Sequence, residues 1–161
     1  MSILDIVFKN VHVTKLKAGD VAPDFSSKDE NGNMVSLSNF KGKKVVLYFY
    51  PKDDTSGCTA ESCNLRDNYH TFLSKGYIVL GVSADDGNSH KQFIDKYNLP
   101  FPLLADTDKK MISDYDVWGE KIIMGVSSMG IIRTTFVISG NGIIEKVITE
   151  VDTKNHTAQI I

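Results

Sequence analysis

The sequence has few residues of the kinds that staple a small fold or bind a metal. Its 161 residues include two cysteines and four histidines. Two cysteines are too few for the disulfide framework of a small secreted domain. Zinc sites use closely spaced Cys and His ligands, and the histidines show no such pairing. We therefore predict no metal and no cofactor, and we expect four histidines that are exposed or satisfied at the surface: His12, His70, His90 and His156.

An excess of one charge and long apolar runs are also missing. The chain has 18 basic and 20 acidic residues and a net charge of -2. This balance carries no electrostatic signal for nucleic acid or for an anionic membrane. No apolar run approaches the ~20 residues that span a bilayer, and the N-terminus lacks a signal-peptide pattern. We predict a cytoplasmic protein that binds neither nucleic acid nor membrane.

Short apolar runs alternate with helix-like segments along the chain. Buried strands are predicted at 45–50, 77–83 and 103–105, and helices at 58–74, 89–97 and 109–115. Gly-rich and Asn-Gly turns predict two hairpins, one around residues 31–33 and one joining strands 134–138 and 143–148. This order indicates an α/β, thioredoxin-like fold: a central mixed β-sheet flanked by helices, with an N-terminal hairpin extension.

The first fifteen residues fit neither the helical nor the strand period. We interpret residues 1–15 as an N-terminal arm, either a short edge strand or a loosely attached segment. Residues 16–161 form the predicted domain, a length suited to a single core.

Cys58 follows a predicted buried strand and a loop, and it lies at the start of the next predicted helix. Unpaired N–H groups and the helix dipole place partial positive charge there, which favours a thiolate over a thiol. The alternative is a buried cysteine that acts as a small hydrophobic residue. Cys63 follows five positions later, which does not match the C-x-x-C spacing of redox motifs or zinc knuckles.

The segment around Cys58 resembles the active-site segment of peroxiredoxins, in the bacterioferritin-comigratory-protein or PrxQ subfamily. It reads Tyr50-Pro51-Lys52-Asp53-Asp54-Thr55-Ser56-Gly57-Cys58-Thr59-Ala60-Glu61-Ser62-Cys63. The family pattern Pro-x-x-x-Thr/Ser-x-x-Cys falls on Pro51, Thr55 and Cys58, and the subfamily's resolving cysteine falls on Cys63. Further similarity covers 22–25, 115–121, 130–136 and 151–156. Ser56 departs from the subfamily, which usually has proline there.

The resemblance implies a role for each matched residue. Thr55 would hydrogen-bond the peroxide and the thiolate, although its hydroxyl could instead cap the helix. Arg133 would stabilise the thiolate and polarise the attacked oxygen; read without the family, it is a surface arginine at a strand end. Pro51 would shape the pocket and shield the sulfur. Glu61 would orient the arginine, the alternative being a solvated helix charge.

The resemblance also implies a thiol peroxidase that reduces hydrogen peroxide and organic hydroperoxides. Its Cys58 sulfenic acid would condense with Cys63, and thioredoxin or a similar dithiol protein would reduce the disulfide. The subfamily favours a monomer. Two alternatives are a thioredoxin-like dithiol oxidoreductase and a noncatalytic thioredoxin-like binding module. The cysteine spacing and the absence of any proline after Pro102 disfavour the first of these.

Overall fold

The computed structural model describes residues 8–161, which fold into three sheets and several helices. The strands, in chain order, are β1 (Phe8–Asn10), β2 (Ser26–Lys28), β3 (Met34–Ser36), β4 (Lys44–Phe49), β5 (Tyr77–Ser83), β6 (Leu103–Ala105), β7 (Trp118–Ile123), β8 (Val126–Ile131), β9 (Thr134–Ile138) and β10 (Ile144–Ile148). The α-helices are α1 (Ser56–Asp67), α2 (Tyr69–Ser74), α3 (Gly87–Tyr97), α4 (Lys110–Asp114) and α5 (His156–Ile160), and a 3-10 turn covers Leu37–Phe40.

The central sheet has five strands in the order β10-β9-β4-β5-β6. β4, β5 and β6 are parallel, whereas β9 runs antiparallel to both β4 and β10. The three parallel strands and the final hairpin lie where the sequence predicted them. α1 and α2 form the connection from β4 to β5, and α3 forms the connection from β5 to β6. The helical crossovers are required because parallel neighbours cannot be joined by a tight turn.

The two faces of β4 explain its continuous apolar run. Val45, Leu47 and Phe49 belong to one buried cluster, and Val46 and Tyr48 belong to a second cluster on the other face. Successive side chains of a strand point to opposite faces, so a strand covered on both sides must be apolar at every position. This burial holds the carboxyl end of β4, and the loop that follows it, in a fixed place.

Of the two smaller sheets, the sequence predicted one and missed most of the other. The β2–β3 hairpin was predicted and is confirmed. For the second sheet, β1-β7-β8, the sequence predicted only that residues 1–15 form either an edge strand or a loosely attached arm. β1 pairs with β7, and residues 1–7 of the arm lie outside the described residues. The β7–β8 hairpin turns at Met124 and Gly125, which have φ of 53° and 79°. Positive φ at both positions is the favoured hairpin geometry, but Met-Gly carries none of the Asn-Gly signal that marks it.

The predicted helix over 58–74 is two helices in the structure. Asn68 separates α1 from α2 with φ of -111° and ψ of 10°, and its side-chain amide donates to the carbonyl of Asn64 at 2.8 Å. Asparagine competes for backbone hydrogen bonds in this way, which accounts for the break. α5 was not predicted, because a five-residue segment shows too little of the helical period. Over residues 8–161, no helix has both the length and the apolar character needed to cross a bilayer.

Candidate active site

Cys58 lies in the first turn of α1, just after the carboxyl end of β4. Thr55 is the N-cap residue with extended backbone (φ -94°, ψ 157°), and the helix begins at Ser56. The first N–H groups of a helix have no intrahelical partner and carry partial positive charge. The Cys58 side chain is fully buried, so water screens this charge little. The position places partial positive charge beside the sulfur.

Arg133 brings a permanent positive charge to the same sulfur from the junction between β8 and β9. Its Nη2 donates to Cys58 Sγ at 3.3 Å, across a separation of 75 positions in the sequence. Its Nη1 donates to Glu61 Oε1 at 2.8 Å. One guanidinium therefore bridges the cysteine and a carboxylate, which matches the fixed fork of donors that arginine presents. The interpretation of Arg133 as a surface arginine at a strand end is wrong.

Gly57 allows the arginine to come this close. A Cβ atom at position 57 would lie 3.1 Å from Arg133 Nη2, tighter than ordinary packing. Glycine has no Cβ and leaves that space open to the guanidinium. The residue before the cysteine is thus part of the geometry that places the positive charge.

Glu61 is buried on the inner face of α1. That face carries Cys58, Glu61, Ser62 and Leu65, which follow the i, i+3, i+4, i+7 pattern of one helix side. The interpretation of Glu61 as a solvated helix charge is wrong, since its side chain is 0% exposed. Burial raises the pKa of Glu61, and the nearby Arg133 and His156 oppose that shift.

Thr55 is exposed, whereas Cys58, three positions later, is buried. Its hydroxyl donates to the carbonyl of Lys52 at 2.9 Å, and it makes no side-chain capping bond to the helix. The capping alternative is therefore wrong. Because the hydroxyl proton is already committed to Lys52, the oxygen lone pairs can only accept. Pro51, half-buried, lies two positions after the end of β4 in the loop that carries Thr55.

Cys63 lies on the same helix as Cys58 but outside its buried face. It is half-buried, and both cysteines are free thiols in this structure. Burial raises the pKa of the Cys63 thiol, with the charge of Arg66 opposing the shift. No arginine bridge of the kind found at Cys58 is recorded for it among residues 8–161. The two thiols therefore differ in electrostatic environment.

Two of the four histidines contradict the prediction of surface positions. His90 and His156 are both 0% exposed, whereas His70 is exposed and His12 is half-buried against Asp116. His156 Nε2 lies 3.3 Å from Glu61 Oε2, directly behind the arginine bridge. A single histidine in a polar segment has no periodic signal, so its burial could not be inferred without the tertiary structure.

His90 belongs to a buried network that holds the loop before Cys58. Asp53 accepts from Tyr50 Oη at 2.6 Å and from Ser89 Oγ at 2.8 Å, and its Oδ2 lies 2.7 Å from His90 Nδ1. His90 Nε2 lies 2.9 Å from the carbonyl of Leu104, so both ring nitrogens face oxygen acceptors. Hydrogen bonding to Asp53 and the charge of that residue raise the pKa of His90 against the opposing effect of burial. Sequence reasoning missed this anchor, although Asp53 stands inside the matched segment.

Across the part of the chain that the structure describes, no group of three or more His, Cys, Asp or Glu side chains is arranged to hold a metal ion. A reaction without metal or cofactor stays a prediction.

A family model described as the AhpC/TSA family matches residues 18–147, a span that contains Cys58, Cys63 and Arg133. The chain belongs to the AhpC/TSA family. It is 45% identical over 141 residues to peroxiredoxin Bcp of Escherichia coli strain K12, covering 88% of this chain and 90% of that protein. It is 42% identical over 146 residues to peroxiredoxin Bcp of Bacillus subtilis strain 168, covering 91% and 93%.

Solved structures of related peroxiredoxins show the same fold. A PrxQ mutant of Xylella fastidiosa matches with a TM-score of 0.85 and 30% identity over 92% of this chain and 94% of that chain. Peroxiredoxin Q of Xanthomonas campestris matches with a TM-score of 0.79 and 33% identity over 84% and 86%. The thioredoxin-like fold is thereby confirmed. As a Bcp/PrxQ peroxiredoxin of the AhpC/TSA family, the protein is a thiol peroxidase that acts on peroxides.

Proposed function

We propose that Cys58 is the residue that attacks the peroxide. The observation that carries this assignment is the 3.3 Å contact between Arg133 Nη2 and the buried Cys58 Sγ at the first turn of α1. The thiolate sulfur bonds to one peroxide oxygen as the O–O bond breaks. The other oxygen leaves as water or alcohol after taking a proton. Sulfur loses two electrons and becomes a sulfenic acid.

Arg133 and Thr55 both assist this step, Arg133 as a hydrogen-bond donor and Thr55 as an acceptor. The guanidinium holds the thiolate and can donate to the leaving peroxide oxygen as negative charge develops on it. Thr55 Oγ1 has already donated its proton to Lys52, so it can accept from the O–H of the peroxide. Glu61 fixes the guanidinium by its 2.8 Å bond, and Pro51 shapes the loop on which Thr55 stands.

Cys63 completes the cycle. Its thiol attacks the sulfur of the Cys58 sulfenic acid, a disulfide forms and water leaves. A thioredoxin-type dithiol protein then donates two electrons and two protons and restores both thiols. A cycle that needs such a donor is suited to a reducing compartment, so we place the enzyme in the cytoplasm. A monomeric state remains a prediction.

The substrates are hydrogen peroxide and organic hydroperoxides. A bacterioferritin comigratory protein of Xanthomonas campestris, described for its alkyl peroxide reduction activity, matches this chain with a TM-score of 0.79 and 30% identity over 94% of each chain. In our chain Thr55 and Ser56 are exposed beside the buried sulfur, so the alkyl part of a hydroperoxide can extend towards solvent.

The function is tested by peroxide consumption in the presence of a thioredoxin-type reducing system. The parent should turn over many equivalents. Adding one equivalent of peroxide to the reduced protein without a donor should remove both thiols in the parent. In Cys63→Ser it should remove one thiol and leave a sulfenic acid that a carbon nucleophile such as dimedone traps on Cys58. Loss of no thiol in the parent, or trapping on Cys63 in the matched Cys58→Ser variant, would contradict the assignment.

Arg133→Lys should slow the second-order reaction of Cys58 with peroxide by about tenfold or more. Lysine keeps the charge but cannot contact Glu61, the sulfur and the peroxide oxygen from one planar group. Stopped-flow measurement of the peroxide reaction checks this, with the unfolding temperature as a control for folding. A rate equal to that of the parent in a folded variant would show that Arg133 has no catalytic role.

A further inference from the structure

Glu61 presents its two carboxylate oxygens to different partners. Oε1 accepts from Arg133. Oε2 is buried and has no hydrogen-bond partner among residues 8–161, and His156 Nε2 lies 3.3 Å from it. A buried carboxylate oxygen without a partner is costly. The protonation of Glu61 and His156 therefore decides whether Oε2 is stabilised.

Gln159 fixes the state of the other ring nitrogen. Its Oε1 accepts from the N–H of Asp152 at 2.9 Å, and its Nε2 donates to the carbonyl of Glu150 at 2.9 Å, which sets the orientation of the amide. Gln159 Oε1 lies 2.7 Å from His156 Nδ1, so Nδ1 must carry the hydrogen and donate. In a neutral His156, Nε2 would then be a bare lone pair.

A bare lone pair on Nε2 would face the carboxylate oxygen at 3.3 Å, and two acceptors would repel each other. Thr135 Oγ1, at 2.7 Å from Nε2, can donate to that lone pair, but it then leaves Glu61 Oε2 without any proton. A proton on the Glu61–His156 pair removes the conflict. Either Nε2 carries the proton, with its N–H directed at Thr135 Oγ1 and its positive charge 3.3 Å from Oε2, or Oε2 carries the proton itself.

The same proton balances the charge of the site. Among these three groups alone, a Cys58 thiolate and a Glu61 carboxylate around one Arg133 guanidinium leave a net charge of about -1, which opposes ionisation of the sulfur. With one further proton on the pair, the thiolate and the guanidinium balance. Resting on the proposed role of Cys58, we propose that His156 is a positioning residue: it shares a proton with Glu61 and thereby leaves the charge of Arg133 for the Cys58 thiolate.

The titratable neighbours Tyr48, Lys121 and Lys146 do not supply this proton to the Glu61–His156 pair. Tyr48 stays neutral because burial raises its pKa well above the ordinary value. Lys121 donates to the carbonyl of Ile131 at 3.0 Å; burial and the charge of Arg133 lower its pKa, and the charge of Cys58 opposes that shift. Lys146 is exposed and bonds to the backbone of α5 at Gln159 and Ile160.

Asn64 holds α5 against α1 through 2.8 Å bonds to the backbone and hydroxyl of Thr157, so His156 is kept in register with Glu61.

The test measures the rate of Cys58 alkylation by iodoacetamide against pH, with Cys63→Ser in every variant. His156→Leu and His156→Gln, neither of which can take up a proton, should move the midpoint for Cys58 alkylation to higher pH by about one unit. Below that midpoint the alkylation and peroxide rates should fall about tenfold. In a Glu61→Gln background, which removes the extra anion, adding His156→Leu should change the midpoint no further.

His12→Gln is the matched control, because it removes a histidine that pairs with a carboxylate, Asp116, outside this site. It should leave the midpoint where it was. A purely structural role for His156 would lower the unfolding temperature without moving the midpoint, or would move it equally in both backgrounds; either result overturns the proposal. Alkylation needs no peroxide, so the outcome is separate from any failure of the proposed function.

Discussion

Cys58→Ser should lower peroxide consumption by about a thousandfold or more. A serine hydroxyl stays protonated at neutral pH, so the helix N-terminus and Arg133 would have no anion to stabilise. The buried position accepts serine with little change in volume, and the fold should persist. Peroxide consumption with a reducing donor, measured beside far-ultraviolet circular dichroism, checks this.

Cys63→Ser provides the matched comparison, because it removes a thiol from the same helix. That variant should still react once with peroxide, whereas Cys58→Ser should not react at all. If Cys58→Ser kept activity within about tenfold of the parent while Cys63→Ser lost it, the roles of the two cysteines would be reversed. A thioredoxin-like binding module would show no peroxide consumption in any form, parent included.

Oxidation of the two cysteines to a disulfide should unwind much of α1. Both thiols lie on this helix, five positions apart. Five residues of α-helix advance ~7.5 Å along the axis and leave the Cα atoms about 8 to 9 Å apart. A disulfide spans at most ~7 Å between Cα atoms. The side chains also point in different directions around the helix, so Cys63 reaches Cys58 only after the first turns open.

Unwinding gives up identifiable contacts of the buried face of α1. They include the bond between Glu61 and Arg133, the 2.9 Å bond between Ser62 and Tyr48, and the packing of Leu65. Amide hydrogen exchange across residues 56–67 should therefore be faster by about a hundredfold or more in the oxidised protein. Mass spectrometry of hydrogen exchange on reduced and oxidised protein measures it.

Two controls separate this effect from general loosening. β5, an inner strand of the five-stranded sheet, should keep its protection in both states. Cys63→Ser treated with peroxide forms no internal disulfide and should keep most of the protection of α1. Equal protection of residues 56–67 in the reduced and disulfide forms would show that the helix stays folded during the cycle.

Local order along the chain was largely determined by sequence. The apolar run of β4 predicts a strand buried on both faces, and the loop after it places Cys58 at a helix start. These features depend on neighbours a few positions apart, so propensity and periodicity suffice. The matched segment around Cys58 likewise predicted the peroxidase family, which the comparisons confirm. The break at Asn68 and the β7–β8 hairpin were missed, because their signals are weak local exceptions.

Only the tertiary structure decided what surrounds the sulfur. Arg133 meets Cys58 across 75 positions, and Glu61 meets Arg133 across 72. His156 becomes buried behind Glu61 because α5 packs on α1 through Asn64 and Thr157. No local pattern reports such contacts, since they arise when the sheet order β10-β9-β4 brings distant segments side by side. The sequence alone determined which cysteine lies in the first turn of the helix, while packing determined which charges surround it.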